Sequence, residues 1–155
     1  LRYLYHPTLK DDGNGGFFAS DATIAKKAAA LEGFSRAIAK ATVFLLANPT
    51  AATEIYWQVN PSAKIGSDRA AALKRTATEL EFVGETFDVS KRPGHQFGAF
   101  ITSQVQAHIG FLKSTGQAKA NVTVQDITTN RFVKAVNDFD VAKVRAFAKA
   151  WKPQS

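Results

Sequence analysis

The stretch that decides the predicted fold is GGFFASDATIAKKAAALEGFSRAIAKATVFLLANP, which spans Gly15 to Pro49. It begins with a short apolar run, Gly15 to Ala19, that predicts a β-strand. Ser20 and Asp21 follow, and either side chain can accept hydrogen bonds from the free N–H groups that open a helix. Because an amphipathic pattern then continues to Asn48, the stretch predicts a strand that leads into one long capped helix.

The long predicted helix has one apolar face. Its members recur at helical spacing and are expected to point into the core: Leu31, Phe34, Ile38, Ala41 and Leu45. The helix is expected to stop at Asn48, because the ring of Pro49 disfavours helical geometry in the preceding residue. Pro49 suits the first turn of a following helix, so the sequence predicts that one helix ends and another begins here, with Asn48 as the N-cap.

The remainder of the chain predicts one further strand and several helices. Leu1–Tyr5 alternates in the manner of a strand, and turn residues separate it from Gly15. Downstream, helical spacing of apolar residues predicts helices over 69–82, 101–112, 131–136 and 140–151. Ser67 or Asp68 is expected to cap the first of these, and Gly116 to stop the second. No internal repeat or linker divides the chain.

The composition fits one domain or part of one. The chain has 155 residues, 45% of them hydrophobic, and no cysteine, which excludes disulfides and thiolate metal ligands. No apolar run approaches the roughly 20 residues that span a bilayer. Because Leu1 opens directly on a strand-like segment without a Met, we expect a piece of a longer protein. The lack of a signal peptide in it therefore does not decide export.

The net charge of +7 raises the question of nucleic-acid binding. The lysines and arginines are scattered along the chain and form no single stripe, so we expect a basic surface and no nucleic-acid partner. A basic helical module that binds nucleic acid remains an alternative interpretation.

The sequence contains none of the strong catalytic motifs. The patterns GxxxxGK[ST], GxSxG, HExxH and the EF-hand loop are absent, and GNGGFF lacks the GxGxxG spacing. His6, His95 and His108 are far apart in sequence, and the Asp138–Asp140 pair is explained by capping of the last helix. We therefore expect no enzyme activity, no catalytic residue, no metal and no cofactor.

Several segments resemble a known protein family. GGFFASDATIAKKAAALEGFSRAIAKATVFLLANPTAATEIYW and FLKSTGQAKANVTVQDITTNRFVKAVNDFD resemble the C-terminal half of ABC-importer solute-binding proteins, in the nitrate, sulfonate, taurine and thiamine-precursor branch. LRYLYHPT resembles the last strand of that family's second lobe. The resemblance implies an α/β class and a type 2 periplasmic binding fold, of which this chain is a mostly helical C-terminal fragment with a few strands. Residues 1–20 would end the second lobe and form the return hinge strand, and residues 21–155 would form the helical C-terminal part of the first lobe.

The resemblance also implies a function. The chain would be part of a non-catalytic substrate-binding component that takes a small anionic or nitrogen- or sulfur-containing solute when two lobes close. Its partners would be the solute and the membrane permease of the importer, in a periplasmic or extracellular location next to the membrane. The positions that match the ligand-binding return strand, with the end of the preceding strand, are Gly15, Gly16, Phe17, Phe18, Ser20, Tyr5 and His6.

Two further expectations follow from the resemblance. Helices that lack the sheet they would cover leave an apolar face open, which favours self-association of the fragment. The effector-binding domains of LysR-type transcription regulators have a similar fold, so such a regulator is a second alternative.

Overall fold

The computed structural model describes residues 16–64, 66–91 and 93–153. The α-helices in these ranges are α1 (Asp21–Lys26), α2 (Ala28–Ala47), α3 (Pro49–Val59), α4 (Arg69–Glu85), α5 (Thr102–Ser114), α6 (Val124–Ile127), α7 (Val133–Val136) and α8 (Val141–Ala150). Short 3-10 helices lie at Pro61–Ala63, Val89–Lys91 and Pro93–His95.

The predicted α/β class is wrong for this chain. The described residues contain no β-strand, which does not match a type 2 periplasmic binding fold with a few strands. Residues 16–19, predicted as part of a strand, have no regular secondary structure. An isolated apolar run supplies no partner for its backbone groups, and a strand requires a neighbouring strand. The strand predicted at Leu1–Tyr5 lies outside the described residues, and the division into 1–20 and 21–155 stays a prediction.

The predicted long helix is two helices with a break at Lys27. Ser20 is the N-cap of α1, as expected, and its Oγ accepts a hydrogen bond of 3.3 Å from the N–H of Thr23. Asp21 is the first helical residue, where its carboxylate is favourably placed at the positive end of the helix dipole. Lys27 leaves helical geometry with φ −124° and ψ 28°, and α2 starts at the next residue.

The expected change of helix at Asn48 and Pro49 is confirmed. α2 ends at Ala47, and Pro49 opens α3. The Oδ1 atom of Asn48 accepts a hydrogen bond of 3.0 Å from the N–H of Ala51, so Asn48 is the N-cap. Its Nδ2 atom donates a bond of 2.8 Å to the carbonyl of Ala148 near the end of α8.

Three further helix ends agree with their predicted residues. Asp68 caps α4, and its Oδ1 accepts hydrogen bonds from the N–H groups of Ala70 and Ala71. Asp140 caps α8 in the same way through the N–H of Lys143. After α5, Gly116 has a φ of 73°, and the N–H of Gln117 returns to the carbonyl of Leu112 at 2.8 Å. This is a Schellman ending, which requires the left-handed backbone that glycine adopts without strain.

α2 lies at the centre of the described fold. It packs against α1, α3, α4, α7 and α8, while α5 packs mainly against α6. Alanine is the commonest of the buried apolar residues, which also include the larger Trp57 and Ile109: Ala39, Val43, Ala51, Trp57, Ala72, Ala77, Ile109, Val124, Val136 and Ala148. Small side chains let helix backbones approach closely, so this core is built from close contacts between helices more than from large side chains.

The predicted core-facing stripe of α2 is not the face that is buried. Phe34 is 50% exposed and Ile38 is 41% exposed, whereas Ala39 and Val43 are buried. At 3.6 residues per turn, the two faces are about 140° apart around the helix. The two buried residues of α2 are small, and Phe34 and Ile38 remain exposed, while α2 packs against α7 and α8.

Candidate functional site

The structure describes four of the seven residues predicted to bind a ligand. Gly16, Phe17, Phe18 and Ser20 lie in the irregular segment before α1, and all four are exposed. The other three predicted residues, Tyr5, His6 and Gly15, lie outside the described residues. The described candidates therefore occupy one accessible segment, and their binding role stays a prediction.

Phe17 joins this segment to α2 through a ring contact. The rings of Phe17 and Phe34 lie 4.9 Å apart, centroid to centroid, with an interplanar angle of 76°. Such an edge-to-face pair has the favoured geometry for two aromatic rings. Phe17 nevertheless remains 64% exposed and Phe18 is 97% exposed. We call the exposed group of Phe17, Phe18, Phe34 and Ile38 the aromatic surface.

Gly16 places the start of the segment beside the residues before α5. A Cβ atom on Gly16 would lie only 3.3 Å from the ring of Phe100. The backbone therefore approaches that ring more closely than a larger residue would easily allow. This contact and the Phe17–Phe34 pair place residues 16–20 between α2 and the beginning of α5.

Ser20 is already engaged in local structure. Its Oγ lies 3.0 Å from Oγ1 of Thr23 and accepts from the N–H of the same residue. The neighbouring Asp21 carboxylate occupies the first turn, where it would repel an anion. The predicted site residues that suit a ligand are therefore Phe17 and Phe18, which with Phe34 and Ile38 form a surface that can stack on a planar group or cover an apolar one.

A second place, an open surface pocket between α2 and the region of α7 that we call the cavity, was missed in the sequence interpretation. It has a volume of about 570 Å³ and is lined by Glu32, Arg131, Lys134, Ala135, Asn137 and Asp138. Of the two aspartates predicted to cap the last helix, Asp140 is the N-cap of α8. Asp138 does not cap that helix and lines this cavity. Because Glu32 and the other lining residues are far apart in sequence, no local motif indicates the cavity.

Two asparagine side chains position the chain beside this cavity. Asn137 accepts a bond of 2.9 Å from the N–H of Phe97 and donates one of 2.9 Å to its carbonyl. Asn130 makes the same paired contact with Phe100, at 2.8 and 3.0 Å. Each amide therefore satisfies both backbone groups of one phenylalanine, as a neighbouring strand would.

The described residues show no metal-binding cluster. No group of three or more His, Asp or Glu side chains in this part of the chain is placed to hold a metal ion. His95 contacts the carbonyl of Val89 through Nδ1 at 3.2 Å, and His108 is half-buried on α5. Within the described ranges, none of the helices combines the length and apolar character of a membrane span.

No family model, curated protein or solved structure matches this chain.

Proposed function

We propose that this chain acts as part of the substrate-binding component of an ABC importer, which holds a small anionic or nitrogen- or sulfur-containing solute without changing it covalently. Two kinds of support bear on this proposal. The first is the resemblance of the segments that begin at Gly15 and Phe111 to such proteins. The second is the exposure of aromatic rings at the place where that resemblance puts ligand contacts.

The observation that carries the proposal is the Phe17–Phe34 pair. These rings stabilise each other at 4.9 Å and still leave at least half of each side chain accessible. Paired rings of this kind lose little freedom when a planar or apolar group packs against them, because they are already ordered. The aromatic surface is open and does not enclose a solute. In the proposed mechanism, a second lobe of the protein therefore closes over this surface when the solute binds.

The two alternative functions differ from this proposal in ways that can be observed. A LysR-type regulator would carry a DNA-binding helix-turn-helix in the same polypeptide, whereas an importer component would carry an export signal. A nucleic-acid module would bind DNA with an affinity that falls steeply as salt increases. In the described part of the chain the exposed lysines and arginines lie on several helices, including α4, α7 and α8, which does not favour the DNA-binding alternative.

The experiment is a thermal-unfolding screen of the full-length protein with nitrate, taurine, an alkanesulfonate and an aminopyrimidine. A solute present at 100 times its Kd stabilises the folded state by about 2.7 kcal/mol. For a protein of roughly 150–250 residues this corresponds to a rise in Tm of roughly 5–10 °C with one class of solute, and a longer full-length protein should show a smaller rise. If none of the four raises the Tm even at high concentration, the proposed function is wrong.

Matched variants test whether the aromatic surface makes the contact. We expect Phe17→Ala and Phe34→Ala to reduce the stabilisation by solute. Phe82→Ala is the control, since Phe82 is 73% exposed on α4, whose neighbouring Gly84 approaches Leu45 at the other end of α2. Equal losses in all three variants, or a loss in none, would remove the aromatic surface from the site.

A further inference from the structure

The cavity between α2 and the α7 region is lined by charges of both signs. Glu32 and Asp138 contribute carboxylates, and Arg131 and Lys134 contribute cations. The volume of about 570 Å³ falls within the range of roughly 300–1,000 Å³ that is usual for small-molecule sites. The pocket is open to solvent, with Arg131, Lys134 and Asp138 exposed and Glu32 half-buried, so it can hold a small polar molecule at the surface.

These four charged side chains are not paired with each other within the described structure. An ion pair elsewhere in the described residues joins Arg69 of α4 to Glu54 of α3. The guanidinium of Arg131 lies over the ring of Phe132, 4.9 Å from its centroid, which orders it while leaving its N–H groups available. The cavity therefore presents its charges in a form that a ligand can still pair with.

The polar side chain of Asn137 has a structural role in the cavity wall. Its Oδ1 accepts from the N–H of Phe97, and its Nδ2 donates to the carbonyls of Phe97 and Val133. These hydrogen bonds to backbone groups occupy the side-chain amide of Asn137. Recognition of a ligand is then left to the charged side chains.

From this balance of charge we infer that the cavity binds a small zwitterion, with an ammonium group and a carboxylate or sulfonate group. A simple anion would meet the cations but would also lie close to Glu32 and Asp138, and like charges are repelled. A simple cation would be attracted by the two carboxylates but repelled by the positive charges of Arg131 and Lys134. A zwitterion satisfies both pairs, and a guanidinium can bind a carboxylate or sulfonate through two parallel N–H groups.

This inference concerns a different surface from the proposed function. Glu32 and Phe34 lie about 160° apart around α2 at 3.6 residues per turn, so the cavity and the aromatic surface are on opposite sides of the helix. The zwitterion site can therefore be right or wrong whether or not the aromatic surface binds a solute. Variants of the two surfaces separate the outcomes.

The test is calorimetric titration of the full-length protein with glycine and taurine, compared with N-acetylglycine and glycinamide. The last two compounds each lack one of the two charges. We expect saturable binding of at least one zwitterion, and binding at least about tenfold weaker for both singly charged analogues, the loss expected when a charged hydrogen bond is removed. No saturable binding of either zwitterion, or equal binding of the analogues, overturns the inference.

Variants locate the binding on the molecule. We expect Glu32→Gln and Arg131→Gln each to weaken zwitterion binding at least about tenfold, while Arg145→Gln, an exposed arginine of α8 outside the cavity, leaves it unchanged. Circular dichroism confirms that each variant is folded, and the analogue comparison on the unaltered protein does not depend on the variants. Zwitterion binding that is lost in Phe34→Ala and kept in Glu32→Gln would place the ligand on the aromatic surface and refute the cavity site.

Discussion

The side-chain amide of Asn48 donates a hydrogen bond of 2.8 Å to the carbonyl of Ala148, 100 residues further along the chain. The same amide accepts the N–H of Ala51 at 3.0 Å. Asn48 therefore caps the start of α3 and satisfies a carbonyl near the end of α8, where Ala148 is fully buried. One side chain thus contacts two helix ends, and the carbonyl of Ala148 also accepts the N–H of Trp151 at 3.3 Å.

We predict that Asn48→Ala destabilises the protein by about 1–3 kcal/mol, since it removes an N-cap and leaves the buried carbonyl of Ala148 with only the 3.3 Å bond from the N–H of Trp151. Urea unfolding monitored by circular dichroism measures the change. Asn48→Asp separates the two roles, because it keeps the acceptor for Ala51 and loses the donor to Ala148. If Asn48→Asp is as stable as the unaltered protein, the bond to α8 contributes nothing.

The paired amide contacts of Asn137 and Asn130 lead to a second prediction. Asn137 is half-buried and makes three hydrogen bonds, so we expect Asn137→Ala to cost about 1–3 kcal/mol. Asn130 is exposed, and we expect Asn130→Ala to cost less. Amide hydrogen exchange is the sharper readout, because the N–H of Phe97 should exchange faster in Asn137→Ala and that of Phe100 in Asn130→Ala. The reverse assignment, or no change in exchange, would contradict the contacts.

Two helical glycines should respond in opposite ways to alanine. A Cβ on Gly33 would meet nothing within 4 Å, so Gly33→Ala should gain about 0.5–1 kcal/mol from helix propensity. A Cβ on Gly84 would lie 3.0 Å from Cδ2 of Leu45 and 3.3 Å from Cδ2 of Leu46. Gly84→Ala should therefore lose that gain, and Gly84→Val should cost about 1–3 kcal/mol through overpacking. Denaturant midpoints of the three variants decide the matter, and a stabilised Gly84→Val would disprove the close approach of α4 to α2.

Asp126 gives a prediction about pH. Its carboxylate accepts bonds from Oγ1 of Thr123 at 2.7 Å and from the N–H of the same residue at 2.8 Å, and the side-chain bond is the larger cause of a lowered pKa. Because the pKa is lower in the folded state, this carboxylate favours folding above its unfolded pKa. The contribution is lost as the pH falls through the folded pKa.

An NMR titration of the Asp126 carboxyl carbon tests this directly. We expect a midpoint below the ordinary value for aspartate, and a rise toward that value in Thr123→Val, which removes the hydroxyl donor. Thr123→Ser is the matched control, since it retains the hydroxyl and should keep the pKa low. A pKa that is the same in Thr123→Val and Thr123→Ser would show that the hydroxyl is not the cause.

The sequence predicts the ends of these helices better than it predicts their packing. Capping by Ser20, Asn48, Asp68 and Asp140 depends on groups within three residues of each helix start, so the local pattern contains the necessary information. The strand expected at Gly15–Ala19 depends on a partner elsewhere in the chain, which a local apolar run does not supply. That is why these four caps were predicted correctly, whereas the break at Lys27 was missed and the α/β class was wrong.

The choice of buried face on α2 also lies beyond local pattern. Periodicity indicates the most apolar stripe, which contains Phe34 and Ile38, but the buried stripe contains Ala39 and Val43, because packing against other helices decides which face is covered. The two candidate sites also differ in whether the sequence indicates them. The exposed phenylalanines near Gly16 were singled out from sequence, whereas the charged cavity unites residues of α2 with residues near α7 and has no contiguous signal.

The packing of α2 reverses the usual relation between the size of a side chain and its tolerance to change. Ala39 is 2% exposed, so a larger side chain at this position would overpack the core. Phe34 is 50% exposed, so a polar side chain can replace it without burying a polar group. Along this helix, natural variation should therefore be narrow at the alanines and wide at the phenylalanine, unless binding to something outside the chain holds that ring unchanged. If Phe34 is unchanged among related chains although the fold tolerates other residues there, its side chain is expected to contact a ligand or a partner.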